Sequence, residues 1–145
     1  MKVVVADVVD VLGGKRVIRG RVGSEAEMRR LVEHGLPGTS LRAIGRRLGL
    51  TNKELGEVVL IPERTLIARQ KLTALPIDES DRIYRLARIF ASAIAAFDDS
   101  EKAVRWLRKP NRSLGGQTPL DASRTSAGER LVEDALGRVM YGTIG

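Results

Sequence analysis

The sequence predicts an all-α protein. Apolar residues recur at spacings of three and four along most of the 145 residues, and Gly or Pro interrupts this pattern roughly every ten to twenty positions. Serine or threonine precedes several of the apolar stripes, as is typical of helix N-termini. With 43% hydrophobic residues, the chain can bury one modest core or two small ones without disulfides.

Residues 1–39 are predicted to form a short N-terminal extension. Val3 to Leu12 fits a short helix or a strand, because β-branched valine is abundant and the apolar period is ambiguous. A glycine-rich turn follows. Ser24 and Glu27 have the spacing of a capping box, so a helix is expected to begin there and to end near Gly35.

Residues 40–98 contain three further helix patterns. The first ends at Gly49, the second begins at a capping box formed by Thr51 and Glu54, and the third begins at Pro62, where a missing N–H is no loss. Two short helices joined by a tight turn predict a helix-turn-helix unit. The inward-facing residues are predicted to be Leu41, Ile44, Leu48, Leu50, Leu55, Val58, Val59, Leu66, Ile67 and Leu72.

The outer face of the third helix suits contact with duplex DNA. In a helix-turn-helix the second helix of the unit lies in the major groove, where Arg pairs with guanine and Gln with adenine while Lys and Thr bind phosphates. A net charge of +7 and a pI near 10.4 also favour a polyanionic partner. A solvated basic surface remains the alternative. The candidate DNA-binding residues are Arg64, Thr65, Arg69, Gln70 and Lys71.

A long helix is predicted from about Asp78 to Phe97. Its Ala-rich end permits close packing either within the chain or across the two-fold axis of a homodimer, which a palindromic operator would require. The sequence leaves both open. We expect Ser100 to cap the next helix, Pro110 to end it, and Trp106 to pack in the core.

The sequence lacks the residues that several functional classes require. Without Cys, and with His34 as the sole histidine, a metal site is not expected. No apolar run approaches the roughly 20 residues that span a bilayer, so we expect a cytoplasmic protein without a membrane partner. No phosphate loop, dinucleotide fingerprint or paired nucleophile and base is present. We therefore expect neither enzymatic activity nor a cofactor.

Residues 99–145 carry the most specific motifs: WLRKPN from Trp106, LGGQTPLD from Leu114 and LGRVMYG from Leu136. With the ESDRIYRLARIFA stretch before them, they make residues 40–145 resemble the Xre/MbcA/ParS antitoxins, the partners of RES-domain toxins. The sequence departs from the family pattern at Pro62, where a Ser or Thr cap commonly precedes the recognition helix.

The resemblance implies two functions. The helix-turn-helix region would repress the chain's own operon by binding operator DNA as a homodimer. The C-terminal region would bind a RES-domain toxin that consumes NAD and would occlude its active site. The candidate toxin-binding residues are Arg138, Tyr141, Gly142, Thr143 and Ile144.

Two alternatives remain from the residues themselves. The tail can be a frayed terminus with Tyr141 packed on the core, and Gly115 and Gly116 can serve only to shape a turn. The whole chain can also be a stand-alone transcriptional regulator without a toxin partner. A neighbouring gene for a RES-domain protein would distinguish the two.

Overall fold

The computed structural model describes residues 3–142, which contain α-helices and two 3₁₀ turns but no β-strand, so the predicted all-α class is confirmed. The helices are α1 (Val5–Val11), α2 (Glu25–His34), α3 (Thr39–Leu48), α4 (Asn52–Val59), α5 (Glu63–Arg69), α6 (Ile77–Phe97), α7 (Ser100–Arg108), α8 (Pro119–Ala122) and α9 (Ser126–Met140). The 3₁₀ turns are Gly14–Arg16 and Arg112–Leu114.

The chain divides into two compact units. The first comprises residues 4–87, and the second comprises residues 88–142 together with Val3. The division falls within α6, so residues 77–87 of this helix belong to the first unit and residues 88–97 to the second. The boundaries drawn from the sequence, after residues 39 and 98, stay predictions.

Helix α1 decides between the helix and the strand that the valine-rich segment left open. Val5, Val8 and Val11 are buried at a spacing of three, which places them on one helical face. The Asp7 carboxylate accepts a hydrogen bond of 3.1 Å from the Val4 N–H and so satisfies a donor at the helix start. The burial of one face outweighs the strand preference of valine in this segment.

Of the two predicted capping boxes in the first unit, the one formed by Thr51 and Glu54 is complete, whereas at Ser24 the return bond to Glu27 comes from the preceding Gly23 N–H instead of the Ser24 N–H. The Ser24 hydroxyl accepts from the Glu27 N–H at 3.1 Å, while the Glu27 carboxylate accepts from the Gly23 N–H. Thr51 and Glu54 pair reciprocally, at 3.1 Å for the Glu54 N–H and 2.9 Å for the Thr51 N–H. These bonds begin α2 and α4 at the expected residues.

Ser80 links three segments of the first unit. This fully buried hydroxyl accepts from the Leu36 N–H at 2.9 Å and donates to the Leu75 carbonyl at 3.4 Å. The Leu75 N–H in turn donates to the Leu36 carbonyl at 2.8 Å, and the Gly38 N–H donates to the Leu72 carbonyl at 2.9 Å. The loop before α3 is thereby fastened to the loop after α5.

The core of the second unit forms around α6 and α9. Large side chains from four helices are buried in it, namely Phe90, Leu107, Leu120, Val132 and Leu136. Trp106 was expected in the core and is half-buried, with its ring centroid 5.9 Å from that of Phe97 and a tilt of 50° between the planes.

One helix start in this unit differs from the prediction. Asp99, rather than Ser100, caps α7 by accepting from the Lys102 N–H at 3.0 Å, so Ser100 is the first helical residue. The cap of α7 therefore lies one residue earlier than expected. Thr125 caps α9, because its hydroxyl accepts from the Gly128 N–H at 3.0 Å.

Candidate functional sites

Helices α4 and α5 form the predicted helix-turn-helix pair. Leu60, which follows α4, adopts a left-handed conformation with φ of 58°, and the Ile61 N–H donates to the Gly56 carbonyl at 2.9 Å. Gly56 lies so close to this turn that a Cβ placed on it would be 2.4 Å from the Ile61 carbonyl oxygen. A glycine is therefore required where the chain turns into α5.

Helix α6 holds both members of the pair. Arg82 Nε donates to the Val59 carbonyl at 2.7 Å and so satisfies a carbonyl at the end of α4. Glu79, only 8% exposed, accepts two bonds from Arg69 at the end of α5, at 2.8 and 3.3 Å. This paired geometry fixes the direction of α5. The sequence did not single out Glu79 or Arg82, because their partners lie on other helices.

The five candidate DNA-binding residues do not all lie on α5. Arg64 is exposed and Thr65 is half-buried, both within the helix. The helix ends at Arg69, so Gln70 is its C-cap and Lys71 lies exposed in the following turn. The structure therefore places Arg64, Thr65 and Lys71 where a ligand can reach them.

Arg69 and Gln70 are engaged within the protein. The hydrogen bond with Glu79, more than its charge, raises the pKa of the Arg69 guanidinium. Gln70 Nε2 donates to Asn52 Oδ1 at 3.0 Å and so joins the end of α5 to the start of α4. These contacts position the helix-turn-helix, and a direct DNA contact by either side chain would have to share or replace them.

Two residues predicted to face inward are on the surface. Ile67 is 44% exposed and Leu72 is 42% exposed. Helix α5 has only seven residues, so Leu66 alone of its side chains is buried and Leu72 lies beyond its end. The expected inward stripe was too wide for so short a helix.

A polar groove beside the pair escaped the sequence analysis. Arg42 and Arg46 of α3, together with Asn52 and Gln70, line a space of about 230 Å³. The two arginines are four residues apart and exposed, which places them on one face of α3. That spacing was the available signal, but the predicted DNA contact involved only the third helix and the residues just after it.

In the second unit, residues 111–117 form a closed turn. Asn111 Oδ1 accepts from the Ser113 N–H at 3.0 Å, and the Asn111 N–H donates to the Gln117 carbonyl at 2.9 Å. Gly115 and Gly116 have φ of 68° and 86°, as predicted, and a Cβ on either would meet open space. The left-handed backbone, rather than crowding, accounts for these two glycines.

The turn leads into two closely packed helices. Thr118 caps α8 by accepting from the Asp121 N–H at 3.1 Å, with Pro119 at the first helical position as predicted. A Cβ on Gly128 would lie 1.7 Å from the Ala122 carbonyl oxygen, so the start of α9 abuts the end of α8. This contact directs α9 and the tail that follows it.

The tail carries the most exposed aromatic side chain among the described residues. Tyr141, just after α9, is 77% exposed, which excludes its packing on the core. Gly142 follows with φ of 73°, and Arg138 is half-buried on α9. The candidates Thr143 and Ile144 lie outside the described residues.

Leu131 belongs with these residues although the sequence analysis did not select it. It is 55% exposed on α9. Because a helix turns about 100° per residue, Leu131, Asp134 and Arg138 share one face, and that face leads to Tyr141. Leu131 was hard to identify because it lies at the edge of the stripe formed by the buried Val132 and Leu136. We call these four residues the α9 stripe.

Comparison with known proteins places both sites within one family. A model of the antitoxin Xre-like helix-turn-helix domain matches residues 27–88, and a model of the antitoxin Xre/MbcA/ParS C-terminal toxin-binding domain matches residues 92–142. The antitoxin Xre of Pseudomonas putida is 36% identical over 122 residues, which cover 83% of this chain and 76% of that protein. The chain belongs to the Xre/MbcA/ParS antitoxin family. The family resemblance drawn from the sequence is thereby confirmed.

Another antitoxin Xre and a solved structure are also similar to this chain. The antitoxin Xre of Photorhabdus laumondii is 35% identical over 82 residues, covering 56% of this chain and 53% of that protein. A chain of the crystal structure of the M. tuberculosis MbcT–MbcA toxin-antitoxin complex shares the fold, with a TM-score of 0.55 and 24% identity. That similarity covers 74% of this chain and 96% of the other.

Residues 3–142 contain neither a membrane-spanning helix nor a metal-binding cluster of side chains. No helix there is long and apolar enough to cross a bilayer. No three acidic, histidine or cysteine side chains within the same residues lie close enough together to hold a metal ion.

Proposed function

We propose that this chain neutralises a RES-domain toxin that consumes NAD, and that its C-terminal segment occludes the toxin's active site. The main support for this proposal is the exposure of Tyr141. This residue is 77% exposed at the end of α9 and lies within the residues that match the toxin-binding domain. An exposed aromatic ring with a polar tip suits an interface, since it buries a large area at low entropic cost. RES chemistry and NAD consumption are expectations from the family resemblance.

The α9 stripe supplies the rest of the proposed toxin contact. Leu131 offers exposed apolar surface, and Arg138 offers donors for a carboxylate or phosphate. Gly142 permits the chain to turn away from the helix after Tyr141. Leu131 and Arg138 would dock on the toxin's rim while the residues after Met140 enter its concave site.

We propose in addition that the chain represses its own operon by binding operator DNA as a homodimer through α5. Exposed Arg64 and Lys71, with Thr65, support this contact, and α6 holds the helix-turn-helix pair in place for it. Without a toxin partner, the chain would instead be a stand-alone regulator.

Co-expression with the product of the adjacent open reading frame tests the neutralisation. We expect the two proteins to co-purify and cellular NAD to be preserved, whereas truncation after Val139 or a Tyr141→Ala substitution should allow NAD loss. Glu133→Ala is the matched control, because Glu133 is exposed on α9 about 200° around the helix from Leu131.

Two results would contradict the proposal. NAD loss with the unaltered chain, without a complex, would refute the toxin partner and favour the stand-alone regulator. Full protection by both the truncated chain and Tyr141→Ala would show that the tail does not block the active site.

A further inference from the structure

A basic loop lies outside the helix-turn-helix family match but within the same folded unit. Residues 11–24 contain four basic and no acidic side chains. Lys15, Arg16 and Arg19 are exposed and have no ion pair among residues 3–142, while Arg21 lies close to the Glu27 carboxylate. We call residues 14–19 the basic loop.

Burial of one side chain anchors the basic loop, and an ion pair holds the helix before it. Ile18 is 2% exposed, and within the loop its N–H donates to the Gly14 carbonyl at 2.8 Å. Just before the loop, Asp10 forms an ion pair of 2.9 Å with Arg47, which ties α1 to α3. The arginines on either side of the buried Ile18 are therefore presented on an ordered backbone, so a ligand would not have to order the chain.

The loop shares a groove with the residues that follow α5. Arg16 and Arg19 of the loop line a space of about 470 Å³ that Leu72 and Thr73, which follow α5, also line. Thr39 and His34 add polar groups to the same groove. When a recognition helix enters the major groove, the phosphate backbones run along both sides of it. Cations next to the end of that helix are therefore well placed to meet one of those backbones.

We propose that the basic loop is a second DNA-contacting element, in which Arg16 and Arg19 bind backbone phosphates flanking the major groove that α5 enters. This inference rests on the proposed binding of DNA by α5. Guanidinium groups donate paired hydrogen bonds to phosphate oxygens, which matches the chemistry of the loop. Such contacts add affinity without sequence preference.

Fluorescence anisotropy over a salt series tests the loop. The probes are the duplex immediately upstream of the gene for this chain and a scrambled duplex of equal length and composition. The variant is Arg16→Gln/Arg19→Gln, and the control is Arg29→Gln/Arg130→Gln. The control removes the same charge from two exposed positions that do not line the groove. Circular dichroism confirms that each variant is folded.

We expect the loop variant to lose roughly tenfold or more in affinity for both duplexes at about 0.1 M salt, and its log–log salt slope to become shallower by about 2 for each bound protomer. The ratio of upstream to scrambled affinity should stay constant, since phosphate contacts carry no sequence information. The control should bind as the unaltered chain does.

The possible outcomes distinguish failure of the loop's role from failure of the proposed DNA binding through α5. If the unaltered chain binds neither duplex, DNA binding itself is refuted and the loop's role is refuted with it. If the unaltered chain binds and Arg64→Ala weakens binding, but the loop variant keeps its affinity and salt slope, only the loop's role is overturned. An equal loss in the control would also overturn it, because overall charge would then be the cause.

Discussion

Two arginines of α5 have opposite surroundings. Arg64 is exposed, whereas Arg69 is held by the two bonds to the nearly buried Glu79. An exposed guanidinium can read a base edge, while a guanidinium already paired with a carboxylate supports the fold. On one short helix, the same residue type is therefore available for the proposed DNA contact at Arg64 and is used for the fold at Arg69.

Replacement of each arginine should separate these purposes. Arg64→Ala should weaken operator binding by about 1–3 kcal/mol if the side chain reads a base edge, without lowering the Tm. Arg69→Ala should mainly lower the Tm, because it leaves Glu79 with an unpaired carboxylate in a mostly buried position. Anisotropy and thermal unfolding measure the two effects. Unchanged operator affinity in Arg64→Ala would contradict the assignment of α5.

Residue-level burial was the least predictable part of the sequence. Apolar spacing placed Ile67 and Leu72 inside, yet both are largely exposed. Spacing gives a direction around a helix axis but not the length of the helix or the position of its neighbours. The ion pair of Arg69 with Glu79 was equally hidden, since it depends on how two helices meet.

At the scale of elements, the turn between α4 and α5 depends on Gly56. Gly56→Ala should destabilise the chain by about 1–3 kcal/mol, because the new methyl group would press on the Ile61 carbonyl and force the backbone to move. Gly137→Ala in α9 is the control, since its Cβ would meet nothing within 4 Å. Chemical denaturation gives both values. Equal stability in the two variants would mean that the turn tolerates a side chain.

The cap of α7 gives a pH dependence with a defined sign. The Lys102 N–H, bonded to the Asp99 carboxylate, holds the pKa of this group below its ordinary value. Its contribution to stability is therefore complete above the ordinary pKa and is lost as the pH falls through the lowered one.

Asp99→Asn keeps a capping oxygen but removes the titration. The Tm difference between the unaltered chain and this variant should hence shrink as the pH falls from about 7 to about 2. A constant difference for Asp99→Asn would disprove the role of the cap.

The elements themselves were largely predictable. Periodicity and caps located α2, α4 and α6, and Gly49 ended α3 in a left-handed conformation, as expected. The valine-rich α1 stayed undecided because side-chain shape and spacing favoured different structures. Only its packing resolved the choice.

At the scale of the whole molecule, the sequence motifs gave more information about the family than the helix pattern did. The WLRKPN, LGGQTPLD and LGRVMYG stretches identified the family, while helix spacing alone would have fitted many proteins. The family models match one region in each part of the chain, so the two proposed activities should be separable. We expect the chain truncated after Val139 to bind operator DNA normally, and Arg64→Ala to preserve NAD in toxin-expressing cells.

Ser80 has a consequence for how the first unit opens. Its hydroxyl joins a residue of one loop to a residue of another, and the bonded Leu36 amide is completely buried. The Leu36 N–H can exchange its hydrogen with deuterium only after its bond to Ser80 breaks and the loop before α3 moves away from α6. Its exchange rate should therefore report the opening of this part of the first unit, and a DNA duplex that binds only the closed unit should slow that exchange.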